Sequence, residues 1–175
     1  MKRLVVAALA GAVLTALLTG SFAIAQGGGD PNRLSARLDG WQEVPSQVRP
    51  GDGRFRAHIT SQGGQRVITY VLRYEDLEGD ASAAHIHIGS RHENGGVAAF
   101  LCGGGDKPNC PVRAGRVSGV IDAADVIGPA GQGIAPGEIQ DLIRALRRGE
   151  AYANVHTSVA PDGEIRGQIH RTQRR

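Results

Sequence analysis

From about residue 33 to residue 170 the chain alternates apolar and polar positions in short runs, divided by glycine, proline and polar turns. In "RLSARL", Leu34, Ala36 and Leu38 fall on one side; in "RFRAHIT", Phe55, Ala57 and Ile59 oppose Arg54, Arg56 and His58. The longest run, "QRVITYVLRYEDL", sets Ile68, Tyr70, Leu72 and Tyr74 against Val67, Thr69, Val71 and Arg73. Period two is the signature of strands with one covered face. The stretches "AAHIHIG", "GGVAAFLC", "VRAGRVSGVI", "AYANVHT" and "EIRGQIH" continue it. Pro161-Asp162-Gly163 between the last two predicts a tight hairpin turn, because proline presets one torsion and glycine accepts positive φ. About eight strands at this spacing predict a β-sandwich or barrel.

One segment departs from period two. In "PGEIQDLIRALRRG", Ile139, Leu142, Ile143 and Leu146 recur at three- and four-residue steps, which predicts a helix over about 137–148. Acids near its start, Arg147 and Arg148 near its end and Gly149 after them suit the helix dipole and a glycine stop. The expected class is mainly β, with one inserted helix lying over an open end of the sandwich.

The start of the chain reads differently. Lys2 and Arg3 precede an apolar run over 4–18, and Ala23-Ile24-Ala25 offers small residues to a signal peptidase. Residues 1–25 are expected to be a cleaved signal peptide, with retention as an anchor the alternative. Glycine-rich 26–32 is expected to be a linker, 33–170 one domain and 171–175 a basic tail. No other run is long and apolar enough for a membrane helix, so no span is expected after cleavage. The expected location is secreted or periplasmic.

Charge adds little. Of the 20 basic and 17 acidic residues, removal of Lys2 and Arg3 with the leader leaves a near-neutral chain, and the arginine clusters lack interleaved aromatics. Nucleic acid is not an expected partner. The two cysteines, Cys102 and Cys110, flank a flexible "GGGDKPN". In an oxidising compartment they are expected to form a disulfide; the alternative, a free nucleophilic thiol, has no histidine close in sequence to activate it.

Chemistry gathers in "AAHIHIG". On a strand, His85 and His87 share a face and stand about 7 Å apart at Cα, close enough for both rings to reach one metal ion. In "YANVHT", Tyr152, Asn154 and His156 share a face. If that strand approaches the first, His85, His87 and His156 form a three-nitrogen site suited to copper or zinc. The plainer reading has them hydrogen-bonded on a half-exposed sheet face. His92, in a turn, is a further candidate ligand; His58 and His170 are weaker ones. The acids of "YEDLEGD" lack calcium-loop spacing, "GPAGQG" lacks the following helix of a phosphate cradle, and Ser158 lacks a positioned acid. No complete catalytic set is visible. Glu164 and Arg166, two apart, are expected to be structural, pairing with each other or with charges on a neighbouring strand.

Taken in order, "LDGWQEVP", "YVLRYEDLEGDASAAHIHIG", "NGGVAAFLC", "GEAYANVHT" and "PDGEIRGQI" resemble the CHRD domain, the module repeated in chordin and found alone in exported bacterial proteins. The resemblance covers about 34–169, and its most characteristic motif corresponds to Gly163, Glu164, Ile165, Arg166 and Gly167. It implies an immunoglobulin-like β-barrel with limited similarity to copper-zinc superoxide dismutases. On that similarity, His85 and His87 match the paired copper ligands and His156 the late-strand one. No histidine lies between His92 and His156, so the resemblance carries neither a zinc loop nor dismutation to this chain.

Two readings stand at this point. The first is a non-catalytic extracytoplasmic module that binds a protein, glycan or envelope component through loops or an edge strand. The second is a copper- or zinc-binding protein built on His85, His87 and His156, with redox activity a further option.

Overall fold

The computed structural model describes residues 30–172. The expected leader over 1–25 and most of the linker lie outside the described residues, as does the end of the basic tail. Among the described residues the chain forms nine strands: β1 Arg33–Asp39, β2 Asp52–Gln62, β3 Gln65–Glu75, β4 Ala81–Ile88, β5 Val97–Cys102, β6 Gly115–Ile121, β7 Ala151–Thr157, β8 Ile165–Gln168 and β9 His170–Arg171. The one α-helix among the described residues, α1, is Ile139–Arg148.

All pairings are antiparallel, in the order β5-β4-β7-β8-β1-β2-β3-β6, with β9 joined to β1. The sheet curls almost shut into a barrel-like sandwich, as the alternation predicts. β2 and β3 make a long hairpin whose turn is Gly63-Gly64, both at positive φ, the requirement of a two-residue hairpin loop. One set of alternate side chains fills the interior: Leu34, Leu38, Phe55, Ile59, Ile68, Leu72, Ile86, Val155 and Ile165 among them. Tyr70 crosses that interior and donates its hydroxyl to the Leu101 carbonyl oxygen at 2.7 Å, tying β3 to β5.

The helix lies within the expected span. Ile139, Leu142, Ile143 and Leu146 face the core, and Gly149 closes it in the left-handed region. Cys102 and Cys110 are disulfide-bonded, with Cα atoms 5.1 Å apart, and there is no free cysteine among the described residues.

One expected strand is two. The run 164–170 pairs first with β7 through residues 165–168, then turns at Ile169 so that His170 meets Ser35 of β1. Ile169 hydrogen-bonds to the Ala151 carbonyl at that turn. The chain also buries both faces of β8, where alternation led one to expect an open outer face. The cause lies in two segments that roof this part of the sheet, 40–50 with its 3-10 turn Gly40–Gln42, and 89–96. Asn94 latches them together by donating to the Val44 carbonyl oxygen at 3.0 Å.

Candidate metal centre

The site is built on the outward face of β4 and β7. Ala84, Ile86 and Ile88 turn inward, which leaves His85 and His87 on the other side, and Ala153 and Val155 do the same for Asn154 and His156. In the ladder His87 stands opposite Tyr152 and His85 opposite Asn154, while His156 lies four residues beyond Tyr152. The rings of His87 and His156 therefore lean along their strands to meet beside His85. Register shifts flank His85 in the β4–β5 pairing, and such bulges re-aim side chains.

One nitrogen from each ring lies within 4.8 Å of the others, and among the described residues this is the one such group of three. The hydrogen bonds decide which nitrogens face inward. His87 Nδ1 meets the Gly95 carbonyl oxygen at 2.9 Å, and His156 Nδ1 meets that of Pro161 at 2.9 Å. A carbonyl oxygen only accepts, so each Nδ1 carries the proton and each Nε2 presents a lone pair. Those two Nε2 atoms face each other at 3.4 Å.

His85 stands apart. Both its nitrogens are buried without a hydrogen-bond partner. Its ring packs edge-on against Phe100 at 4.6 Å and lies 4.7 Å from His156. Burial, with the neighbouring imidazoles, pushes His85 down to about 3; burial likewise lowers His87 to about 4 against the opposing bond to Gly95, and lowers His156. At neutral pH all three rings are uncharged, the form that coordinates metal.

Behind the histidines sits a buried polar layer. Tyr152 stacks on His87, and the Arg166 guanidinium lies over the Tyr152 ring at 3.5 Å from its centroid. Arg166, only 1 % exposed, donates to the Ser90 carbonyl oxygen at 2.9 Å. Glu43 is 5 % exposed, and burial raises it to about 7 against the pull of Arg166 and Asn154. Glu164 and Arg166 do not pair: Glu164 instead accepts from the backbone of Glu78 and Gly79 and from the Thr157 hydroxyl. The Gly163 turn fits tightly, since a Cβ there would stand 2.6 Å from Glu43 Oε1 and from Asn154 Oδ1.

His92 is exposed at positive φ and is not brought to the group; His58 and His170 also lie elsewhere. Two of the four acids of "YEDLEGD" are engaged in ion pairs: Glu78 with Arg49, and Asp80 with Arg113 at 2.8 Å. Gln132 of "GPAGQG" hydrogen-bonds to Ile88 and Gly96 and serves the loop. Sequence reading passed over Glu43 and Gly95. Only the glycine pair in "ENGGVA" gave a signal, that of a close backbone approach.

A family model for the CHRD domain matches residues 34–169. The chain belongs to the CHRD family. No curated protein and no solved structure matches it. Within this CHRD domain the matched span covers β1 from Leu34 onward, β2 to β8 and every residue of the histidine group. The disulfide of the domain suits an oxidising compartment. No helix among the described residues is long and apolar enough to cross a membrane.

Proposed function

We propose that this CHRD domain binds one transition-metal ion, copper or zinc, through His85, His87 and His156. The observation that carries the reading is the ring of His85, buried with neither nitrogen partnered beside two lone pairs aimed at each other. Burying a polar group unpaired costs about 1–3 kcal/mol, and opposed lone pairs add repulsion. A bound cation removes both costs. Two nitrogens held about 2.0 Å from a tetrahedral ion lie about 3.3 Å apart, close to the separation of His87 and His156.

Three neutral imidazoles suit copper and zinc by ligand type. The carbonyls of Gly95 and Pro161 act as the outer partners that fix ring orientation in metal sites. His156 is only partly buried, which leaves the group a side open to an exchangeable ligand from solvent. The leader-like start and the disulfide support action outside the cytoplasm.

Of the two readings of the sequence, the geometry favours this one over a module without metal. Calorimetric titration of the purified protein with Zn²⁺ and with Cu²⁺ tests it. One ion per chain at micromolar affinity or tighter, lost in His87→Ala and in His156→Ala, is expected. Unsaturable uptake, or uptake that both variants retain, refutes the reading.

A further inference from the structure

A second feature lies on other strands, the outward face of β1, β2, β3 and β6. Arg37 is the register partner of Arg54, Arg54 of Arg73, and Arg73 of Arg116. Four exposed arginines thus stand in one row across four neighbouring strands, about 14 Å long at the usual strand spacing. Like charges directly opposite each other destabilise a sheet, and a solvated face needs only Thr or Ser. None of the four joins an ion pair among the described residues. The arrangement works against folding and gains nothing from it.

The surroundings give the row a direction. On one side runs a parallel row of acids, Asp39, Asp52 and Glu75, also register partners. On the other side stand Arg56 and, further along, Arg33, so the positive field opens that way. A trough of about 810 Å³, lined by Arg33, Arg37, Arg54, Arg56 and Arg91 together with Asp39, covers the β1–β2 part. A second trough of about 590 Å³ shares Arg54 and continues past Arg73 to Arg116, with Asp52 and Glu75 of the acidic row also in its lining. Together they make a concave track across the strands.

We propose that this track is a docking surface for an acidic polysaccharide, a linear sugar chain bearing carboxylate, sulfate or phosphate groups. Guanidinium forks recognise such groups with two parallel hydrogen bonds, and a repeating polyanion satisfies a row of them at once. Ser35, Thr69, Val71 and Ser118 occupy the positions between and beside the arginines, so the face offers no aromatic platform on which nucleic-acid bases could stack. An extended sugar chain needs only the track and its charge. The histidines on β4 and β7 take no part in it.

Binding of alginate, a polyuronate, to the purified protein tests this, with neutral dextran, single-stranded DNA and anionic phospholipid vesicles as parallel probes. Alginate is expected to bind where dextran does not, and to lose at least about tenfold in affinity between 50 and 200 mM salt, as counterion release requires. Arg54→Gln/Arg73→Gln is expected to weaken alginate binding at least tenfold. Its zinc uptake should be unchanged and its thermal midpoint unchanged or higher, which separates loss of the surface from loss of the fold or of the metal site. Arg116→Gln gives a milder version at the end of the row. Absence of alginate binding, salt-independent binding, equal binding of dextran, or unaltered binding by the double variant overturns the proposal. So does tighter binding of DNA or vesicles, which assigns the row to another polyanion.

Discussion

The ring of Tyr152 lies parallel to that of His87, with planes 8° apart and centroids 4.9 Å apart. The two side chains also grip the same residue from its two flanking peptide units: the Tyr152 hydroxyl accepts from Gly95 N at 3.1 Å, while His87 Nδ1 donates to Gly95 O at 2.9 Å. Tyr152 therefore orients His87 twice, by stacking and through the loop that holds the imidazole proton. Tyr152→Phe keeps the stack and drops the hydroxyl. Zinc affinity is expected to fall about tenfold, the lower end for outer partners of a ligand, with little change in thermal midpoint. Wild-type affinity in this variant would show that the loop bond does not matter.

Gly95 itself tolerates no side chain. A Cβ there would lie 1.5 Å from the Ile88 carbonyl oxygen, so Gly95→Ala has to displace backbone. The displacement breaks the bonds to both Tyr152 and His87. Chemical denaturation should show a loss of more than about 2 kcal/mol, the range of backbone misfits. A stability loss below half that would mean the loop relaxes freely.

His85 presents the opposite case. Replacing it with leucine removes two buried nitrogens that have no partner and leaves apolar bulk against Phe100. His85→Leu is expected to raise apo-protein stability by about 1–2 kcal/mol while abolishing stoichiometric metal uptake. A variant that both unfolds more easily and still binds the ion would contradict the reading of this ring.

Glu43 sets a pH dependence. Its carboxyl rises to about 7 in the folded protein from an ordinary value of 4.5, with burial the largest cause. Between those values the folded state holds the proton and the unfolded state has released it. Stability contributed by Glu43 is therefore full below about pH 4.5 and is lost as pH rises through 7, an effect on the order of 3 kcal/mol. Glu43→Gln is expected to narrow the loss of stability between pH 5 and pH 8 in denaturant titrations. An unchanged pH profile would place the titration elsewhere.

The disulfide closes a short loop around Gly103, Gly104 and Gly105. Its removal in Cys102→Ser/Cys110→Ser frees the unfolded chain by about 2–3 kcal/mol of loop-closure entropy. The expected readout is a lower midpoint at unchanged metal affinity, since neither cysteine touches the histidines. Loss of metal binding would instead couple this loop to β4.

Much of this was legible along the chain. Period two located the strands because each has one inward face, and Ile139, Leu142, Ile143 and Leu146 marked the helix for the same reason at period 3.6. The shared face of His85 and His87 followed from alternation alone. Their meeting with His156 did not, because pairing of β4 with β7 is a tertiary choice that no local pattern encodes. Alternation failed at Arg166 and Glu164, where it says nothing about roofing loops. Glu43 was hidden likewise: an acid in a turn reads as solvated until the fold closes over it. The arginine row was invisible as a row, since Arg37, Arg54, Arg73 and Arg116 become neighbours only through three strand registers.

His87 and His156 are 69 residues apart and face each other only once β4 and β7 have zipped together. An unfolded chain offers an ion little more than the His85–Ile86–His87 fragment, a weak hold that cannot template the rest. On the metal reading proposed above, loading must follow folding. The ion would then be chosen by the compartment in which the barrel finishes closing, and a chain exported before it folds would sample the ions outside the cell rather than those where it was synthesised.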